Sequence, residues 1–261
     1  MRYFVVDAFT DQRFRGNPAG VCLPEHPLGD PLMQAIAAEN NLAETAFVLP
    51  AEEGYALRWF TPTREIDLCG HATLASAFVI SQFSEPGADR IDFFSKSGKL
   101  SVTRRDDLYE MDFPARAPDP IAVTEGMRAA VGCEVLEAHL SRDVLLLVTD
   151  EAAVQALAPD MEQIRQLSGH GVIVTARGEN ADFVSRFFAP NMGVPEDHVT
   201  GSSHCTLIPF WAARLGKTEN ETMTARQLSR RGGTLYCKNS GARVRIAGRA
   251  VLYLRGELTV D

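Results

Sequence analysis

The chain has 261 residues, 45% of them hydrophobic and 23% charged, with a formal net charge of −8 at pH 7. This is ordinary globular composition, enough for one large domain or two smaller ones. An acidic balance with no basic-rich stretch argues against a nucleic-acid or membrane-surface partner.

The opening MRYFVVDAFT is strand-like, with no leader-type apolar region. GNPAGVCL follows as a turn into a short strand. Asp30 and Pro31 read as N-cap and first residue of a helix, PLMQAIAAENN, with Leu32, Ala35 and Ile36 on one face. ETAFVLP and YALRWFTP are strands, HATLASAFVISQF is a helix, and RIDFFSKSGKLSVTRRDDLYEMDFP gives three antiparallel strands. Their turns are expected at Ser97-Gly98 and Asp106-Asp107. Prolines cluster between Pro114 and Pro120 as a linker. A helix near EGMRAAVG, strands VLEAHLS and DVLLLVTD, and one helix over EAAVQALAPDMEQIRQL come next. GVIVTARG and ADFVSRFFAP are strands, GSSHCTLIPFWAARLG is a helix, and the tail is strand-rich with a hairpin turn around Asn239-Ser240-Gly241. No apolar run reaches the roughly 18 residues of a membrane span. Five scattered cysteines (Cys22, Cys69, Cys133, Cys205, Cys237) form no disulfide framework and suit a reducing, cytoplasmic setting.

The halves resemble each other. Arg58-Trp59-Phe60-Thr61-Pro62 matches Arg186-Phe187-Phe188-Ala189-Pro190, and each segment leads through a polar loop to a glycine that opens a helix, Gly70 or Gly201. That spacing implies two like-folded α/β halves. Both helices are apolar nearly all round, so each is expected to be the buried centre of its half. Helix starts carry unpaired N–H groups and positive partial charge, so two starts facing one cleft would make an anion site.

Several chemistries find no support in the spacing. Cys69-x-His71 and adjacent His204-Cys205 do not match zinc ligand spacings, so no metal site is expected. Gly216-Lys217-Thr218 imitates the end of a phosphate loop, but Trp211 stands where its first glycine belongs. GSSHC is not a nucleophile elbow. A two-thiol racemase needs a second cysteine before Gly201, and Thr200 stands there. Glu44, in NNLAETAFV, is a carboxylate among apolar neighbours. It is expected to be partly desolvated, a setting that suits proton transfer. Asp197 precedes the second helix start, and His71 lies at the first.

Four stretches, VDAFTDQRFRGNPAGV, AAENNLAETAFV, LRWFTPTREIDLCGHATLASAF and FFAPNMGVPEDHVTGSSHC, together resemble the PhzF-like proteins of phenazine biosynthesis, from residue 5 to about 215. The resemblance implies an α/β (α+β) fold of two pseudo-symmetric diaminopimelate epimerase-like halves, each a mixed β-barrel-like sheet around a central helix. The halves are expected over 1–116 and 117–249, with the last strand, about 250–261, a candidate to complete the first. It further implies a cofactor-free isomerase of a small carboxylate, acting as a homodimer. Glu44 would move the proton, with His71 and Asp197 catalytic beside it and Gly70, Gly201 and Ser202 binding substrate. Two alternatives stay open: a racemase or hydroxyproline dehydratase-like enzyme using Cys69, and a non-catalytic small-carboxylate binder.

Overall fold

A computed structural model describes residues 1–260. Its elements run β1 (Arg2–Ala8), β2 (Asn17–Leu23), α1 (Asp30–Asn40), β3 (Glu44–Pro50), β4 (Tyr55–Phe60), β5 (Glu65–Ile66), α2 (Gly70–Val79), β6 (Arg90–Ser95), β7 (Gly98–Arg105) and β8 (Leu108–Pro114). Then come β9 (Asp119–Ile121), α3 (Glu125–Val131), β10 (Glu137–Leu140), β11 (Val144–Leu147), α4 (Glu151–Ala156), α5 (Met161–Gln166), β12 (Val172–Arg177), β13 (Phe183–Ala189), β14 (Val194–Asp197) and α6 (Gly201–Leu215). β15 (Thr222–Gln227), β16 (Gly233–Ser240), β17 (Arg243–Gly248) and β18 (Ala250–Glu257) end the chain. Among the described residues no helix is long and apolar enough to cross a membrane.

The chain divides into two compact units, Met1–Asp112 with Ala247–Asp261, and Phe113–Ile246. In the first, β1 lies antiparallel between β2 and β18, so the chain end closes the sheet beside its beginning. β2 runs parallel to β3, β3 antiparallel to β4, and β4 parallel to β6. In the second, β9, β10 and β11 are antiparallel neighbours, β11 runs parallel to β12, β12 antiparallel to β13, and β13 parallel to β15. The order of parallel and antiparallel steps from β2 to β6 is thus repeated from β11 to β15. Both are mixed sheets of an α+β fold.

The same salt bridge pins both copies. Arg58 donates from Nε and Nη2 to Glu65 at 2.7 and 2.8 Å, and its guanidinium lies 5.2 Å from the Phe60 ring centre. Arg186 does the same to Glu196 at 2.7 and 3.0 Å, lying 5.1 Å from the Phe188 ring. A two-pronged guanidinium–carboxylate pair fixes orientation as well as distance. Here it ties the strand to the segment that delivers the following helix start, four residues beyond the glutamate to Cys69 in one unit and to Thr200 in the other.

α2 buries every residue from His71 to Ala77, together with Val79, and α6 buries most of its length, including Trp211 stacked on Phe183. A helix with no polar stripe has nothing to offer solvent, and these two are covered by strands. The outer helices pack on satellite cores: Met33, Ile36 and Ala37 against Phe47 and Phe60, and Met127, Val131, Val154 and Ile164 against Val174 and Phe188.

Three local readings change. The helix expected over 151–167 is two, because Pro159 interrupts it and Asp160 then caps α5 by accepting from the Glu162 and Gln163 amides. α1 is capped by Gly29, with Asp30 already its first residue. The first hairpin turns on Lys96-Ser97, since Ser95 pairs with Gly98, whose φ of +92° suits glycine.

Candidate active site

In the first unit three segments converge. Glu44 opens β3, Asn17 opens the parallel neighbour β2, and Cys69 is the extended residue that caps α2, with His71 in its first turn. His71 Nε2 faces Glu44 Oε2 at 3.1 Å. His71 Nδ1 faces the Asn17 amide nitrogen at 3.3 Å and the Cys69 sulfur at 3.5 Å. His71 and Cys69 are buried, and Glu44 keeps 15% side-chain exposure, so the carboxylate is the wet edge of the group. Glu44 Oε2 and His71 Nε2 are themselves shut from solvent and, although close, are not aligned as a hydrogen bond.

The electrostatics follow from this geometry. Burial works against a charged His71, but the adjoining Cys69 sulfur and Glu44 carboxylate outweigh it, and its pKa stands well above the ordinary histidine value. Burial first, and the Glu44 charge second, push the Cys69 thiol up. Cys69 is therefore a thiol at neutral pH, and Glu44 is the charge that holds the imidazolium. With the Asn17 amide nitrogen toward Nδ1, the single proton of a neutral ring sits on Nε2, facing Glu44. Protonating Nδ1 as well calls for a half-turn of the amide that presents its carbonyl oxygen.

In the second unit the residue before the helix glycine is Thr200. Its hydroxyl donates to Asp197 Oδ2 at 2.6 Å and accepts from Gln227 Nε2 at 3.1 Å, while its amide donates to Gln227 Oε1 at 2.9 Å. Gln227 Nε2 also donates to the Asp197 carbonyl at 2.8 Å. Ser202 Oγ accepts from Arg142 Nη2 at 2.9 Å, and Arg142 is paired with the wholly buried Asp143. A guanidinium can only donate, so the Ser202 hydroxyl is left with its proton to give. His204, one turn into α6, donates from Nδ1 to the Thr200 carbonyl at 2.7 Å; burial lowers its pKa to about 4.

Register pairs residues of the two units. Arg58 lies opposite Phe47, and Arg186 opposite Val174, so three residues earlier Glu44 corresponds to Gly171. A Cβ at Gly171 would meet Phe187 Cζ at 2.4 Å and the Phe188 carbonyl oxygen at 3.0 Å. No side chain fits there. Counting from Glu65 and Glu196, Cys69 corresponds to Thr200 and His71 to Ser202. At the three corresponding positions the first unit has a carboxylate, a thiol and an imidazole, and the second has Gly171 and the hydroxyls of Thr200 and Ser202, with Asp197 at the end of β14 beside them.

The helix starts differ in one further respect. α3, α4 and α5 are capped by the side chains of Thr124, Asp150 and Asp160, each accepting from a first-turn amide. Cys69 and Thr200 cap α2 and α6 without any such bond. Neither N-cap side chain closes the first turn of its central helix with a capping hydrogen bond, an arrangement that suits an external anion.

Of the residues singled out in the sequence, Glu44, Gly70 and His71 belong to the first cluster, and Asp197, Gly201 and Ser202 to the second, where Asp197 and Ser202 have separate partners. Asn17, Arg142 and Gln227 are additions. Asn17 stood in GNPAGV as a turn former, and the other two carried no motif. One atom each from Glu44, Cys69 and His71 lie within 4.8 Å of one another, a set of metal-ligand types.

Residues 6–256 match the phenazine biosynthesis-like protein family. A Pseudomonas aeruginosa protein named as an uncharacterized isomerase is 49% identical over 98% of this chain and 97% of its own. A crystal structure of a phenazine biosynthesis protein of the PhzF family from Enterococcus faecalis superposes with a TM-score of 0.96 at 46% identity, covering 99% of each chain. A probable proline racemase from Agrobacterium radiobacter shares the fold, with a TM-score of 0.67 at 12% identity over 100% of this chain and 93% of its own.

Proposed function

The chain belongs to the phenazine biosynthesis-like family, and from that premise we propose that it is a cofactor-independent isomerase that moves a proton on a small unsaturated carboxylate, with Glu44 as general acid and base. The observation that carries this reading is the half-buried Glu44 carboxylate held 3.1 Å from the buried His71 ring. Ionised Glu44 takes a proton from a carbon made acidic by the substrate's own unsaturation. As the carboxylic acid it returns that proton to a second carbon of the same molecule, so bonds and charge balance with no redox partner. The His71 imidazolium orients the carboxylate and offsets charge that develops on the substrate. The first-turn amides at Gly70–His71, beside Glu44, bind the substrate's carboxylate. The same reading takes the protein as a cytoplasmic homodimer.

Cys69 has no place in the proton transfer. It is held as a thiol by burial and the Glu44 charge. The residue in the corresponding slot, Thr200, has its hydroxyl engaged by Asp197 and Gln227.

Proton exchange in D2O, followed by NMR against a panel of small unsaturated and amino carboxylates, tests the assignment. Deuterium incorporation should fall at least about a hundredfold in Glu44→Gln and persist in Cys69→Ala. Exchange lost in Cys69→Ala and kept in Glu44→Gln would move the chemistry to the thiol. Stabilisation by a compound that is never turned over would favour a binding protein.

A further inference from the structure

Cys69 is buried, chemically distinctive and unused by the proton transfer, yet it shares its pocket with the base. We propose that Glu44, Cys69 and His71 form a binding site for a zinc-class divalent ion, and that metal bound there switches the protein off by occupying Glu44. The second part rests on Glu44 being the base, as proposed above; the first does not.

The ligand set comes from two places in the chain, which is why sequence spacing hides it. Cys69 and His71 are set by the start of α2, and Glu44 by the start of β3. The 3.5 Å between Cys69 Sγ and His71 Nδ1 is close to the separation of a thiolate and an imidazole nitrogen on one tetrahedral zinc, roughly 3.5 Å from bond lengths of about 2.3 and 2.0 Å. One ligand atom from each of the three residues already lies within 4.8 Å of the other two. The remaining contraction falls to Glu44, a flexible side chain that retains 15% exposure and stands at the solvent edge, where an ion would enter. Coordination through His71 Nδ1 displaces the Asn17 amide that faces it at 3.3 Å and gives up the Glu44–His71 pair, while Glu44 Oε2 is a buried atom with no aligned hydrogen bond to lose. Three protein ligands leave a fourth position for water. A thiolate–imidazole–carboxylate set selects zinc, cobalt or copper over magnesium and calcium. On binding, the thiol proton and any proton on the coordinating ring nitrogen leave to solvent. No other group of three such side chains occurs among the described residues.

Cobalt(II) is the probe, because a thiolate–cobalt bond gives a charge-transfer band in the near ultraviolet. Metal-free protein titrated with Co2+ should bind one ion per chain and show the band. The band should vanish in both Cys69→Ala and Cys69→Ser, each checked for an unchanged melting transition. Affinity should weaken at least about tenfold in Glu44→Gln and in His71→Asn, and Zn2+ should displace the cobalt. Absence of the band in the wild type, or its survival in the folded Cys69 variants, overturns the site. In the D2O assay, Zn2+ should abolish exchange and EDTA restore it. Exchange that continues with the site spectroscopically filled overturns the inhibitory role. Failure of metal-free protein to exchange any compound counts against the isomerase reading alone, since the cobalt titration stands independently of it.

Discussion

Gln227→Met removes the side chain that anchors the second helix start while keeping its length and most of its volume. Gln227 is wholly buried on β15 and makes three hydrogen bonds, to the Asp197 carbonyl, the Thr200 hydroxyl and the Thr200 amide. The Thr200 hydroxyl keeps Asp197 as a partner, so its loss is small. The Thr200 amide is left buried and unpaired, at about 1–3 kcal/mol. The Asp197 carbonyl belongs to a half-buried residue and recovers part of its loss from water, at about 1 kcal/mol. The expected cost is about 2–4 kcal/mol. Urea unfolding in a Trp59→Phe background, with Trp211 of α6 as the fluorophore, reads the second unit. The midpoint should fall with the slope unchanged. Amide exchange at Thr200, whose N–H loses its Gln227 acceptor, should accelerate more than exchange elsewhere in the unit. A loss under about 1 kcal/mol, or a Thr200 amide that stays as protected as before, would refute the view that Gln227 holds this helix start.

Three further expectations follow. His204 has a folded pKa of about 4 against a reference of 6.5, so the unfolded chain binds the extra proton first. Its contribution is complete above pH 6.5 and is lost as pH falls toward 4, roughly 3 kcal/mol in all, and urea titrations across that range should show a shallower slope in His204→Asn. Gly171→Ala drives a methyl against the Phe187 ring and should cost about 1–3 kcal/mol in thermal unfolding, with part of the loss recovered in the Phe187→Leu background. Arg142→Met leaves the Asp143 carboxylate buried without its cation, whereas Asp143→Asn removes the buried charge itself. Arg142→Met should therefore lower the melting temperature more, and the reverse order would show that Asp143 does not depend on Arg142.

How much of this was readable from the residues depended on how far apart the partners stand. The central helices were legible because HATLASAFV and HCTLIPFWAARL have no polar face, and the repeat was legible through Arg58-Trp59-Phe60 and Arg186-Phe187-Phe188. The matching acids were not. Glu65 follows its arginine by seven residues and Glu196 by ten, so a short insertion displaces one from the other. Pro159 and Asp160 together announce a helix stop and a new cap, yet the apolar period on both sides reads through them. In the site, Glu44 and His71 stood out by their neighbours and by family resemblance. Asn17 meets His71 across 54 residues, Gln227 meets Thr200 across 27, and Arg142 meets Ser202 across 60, and no local pattern announces a contact of that span.

The open starts of α2 and α6 bear on how a substrate could be found. Where a helix has its own cap, nothing outside the fold can improve its first turn. Where the cap is missing, a compound that supplies the acceptor finishes a piece of architecture, and the protein registers the event as heat resistance before any bond is made or broken. A ligand present at a hundred times its dissociation constant adds about 2.7 kcal/mol to the folded state. A melting screen of metabolite-sized anions is thus a search ordered by the protein's own unfinished backbone, and it needs no guess about the reaction.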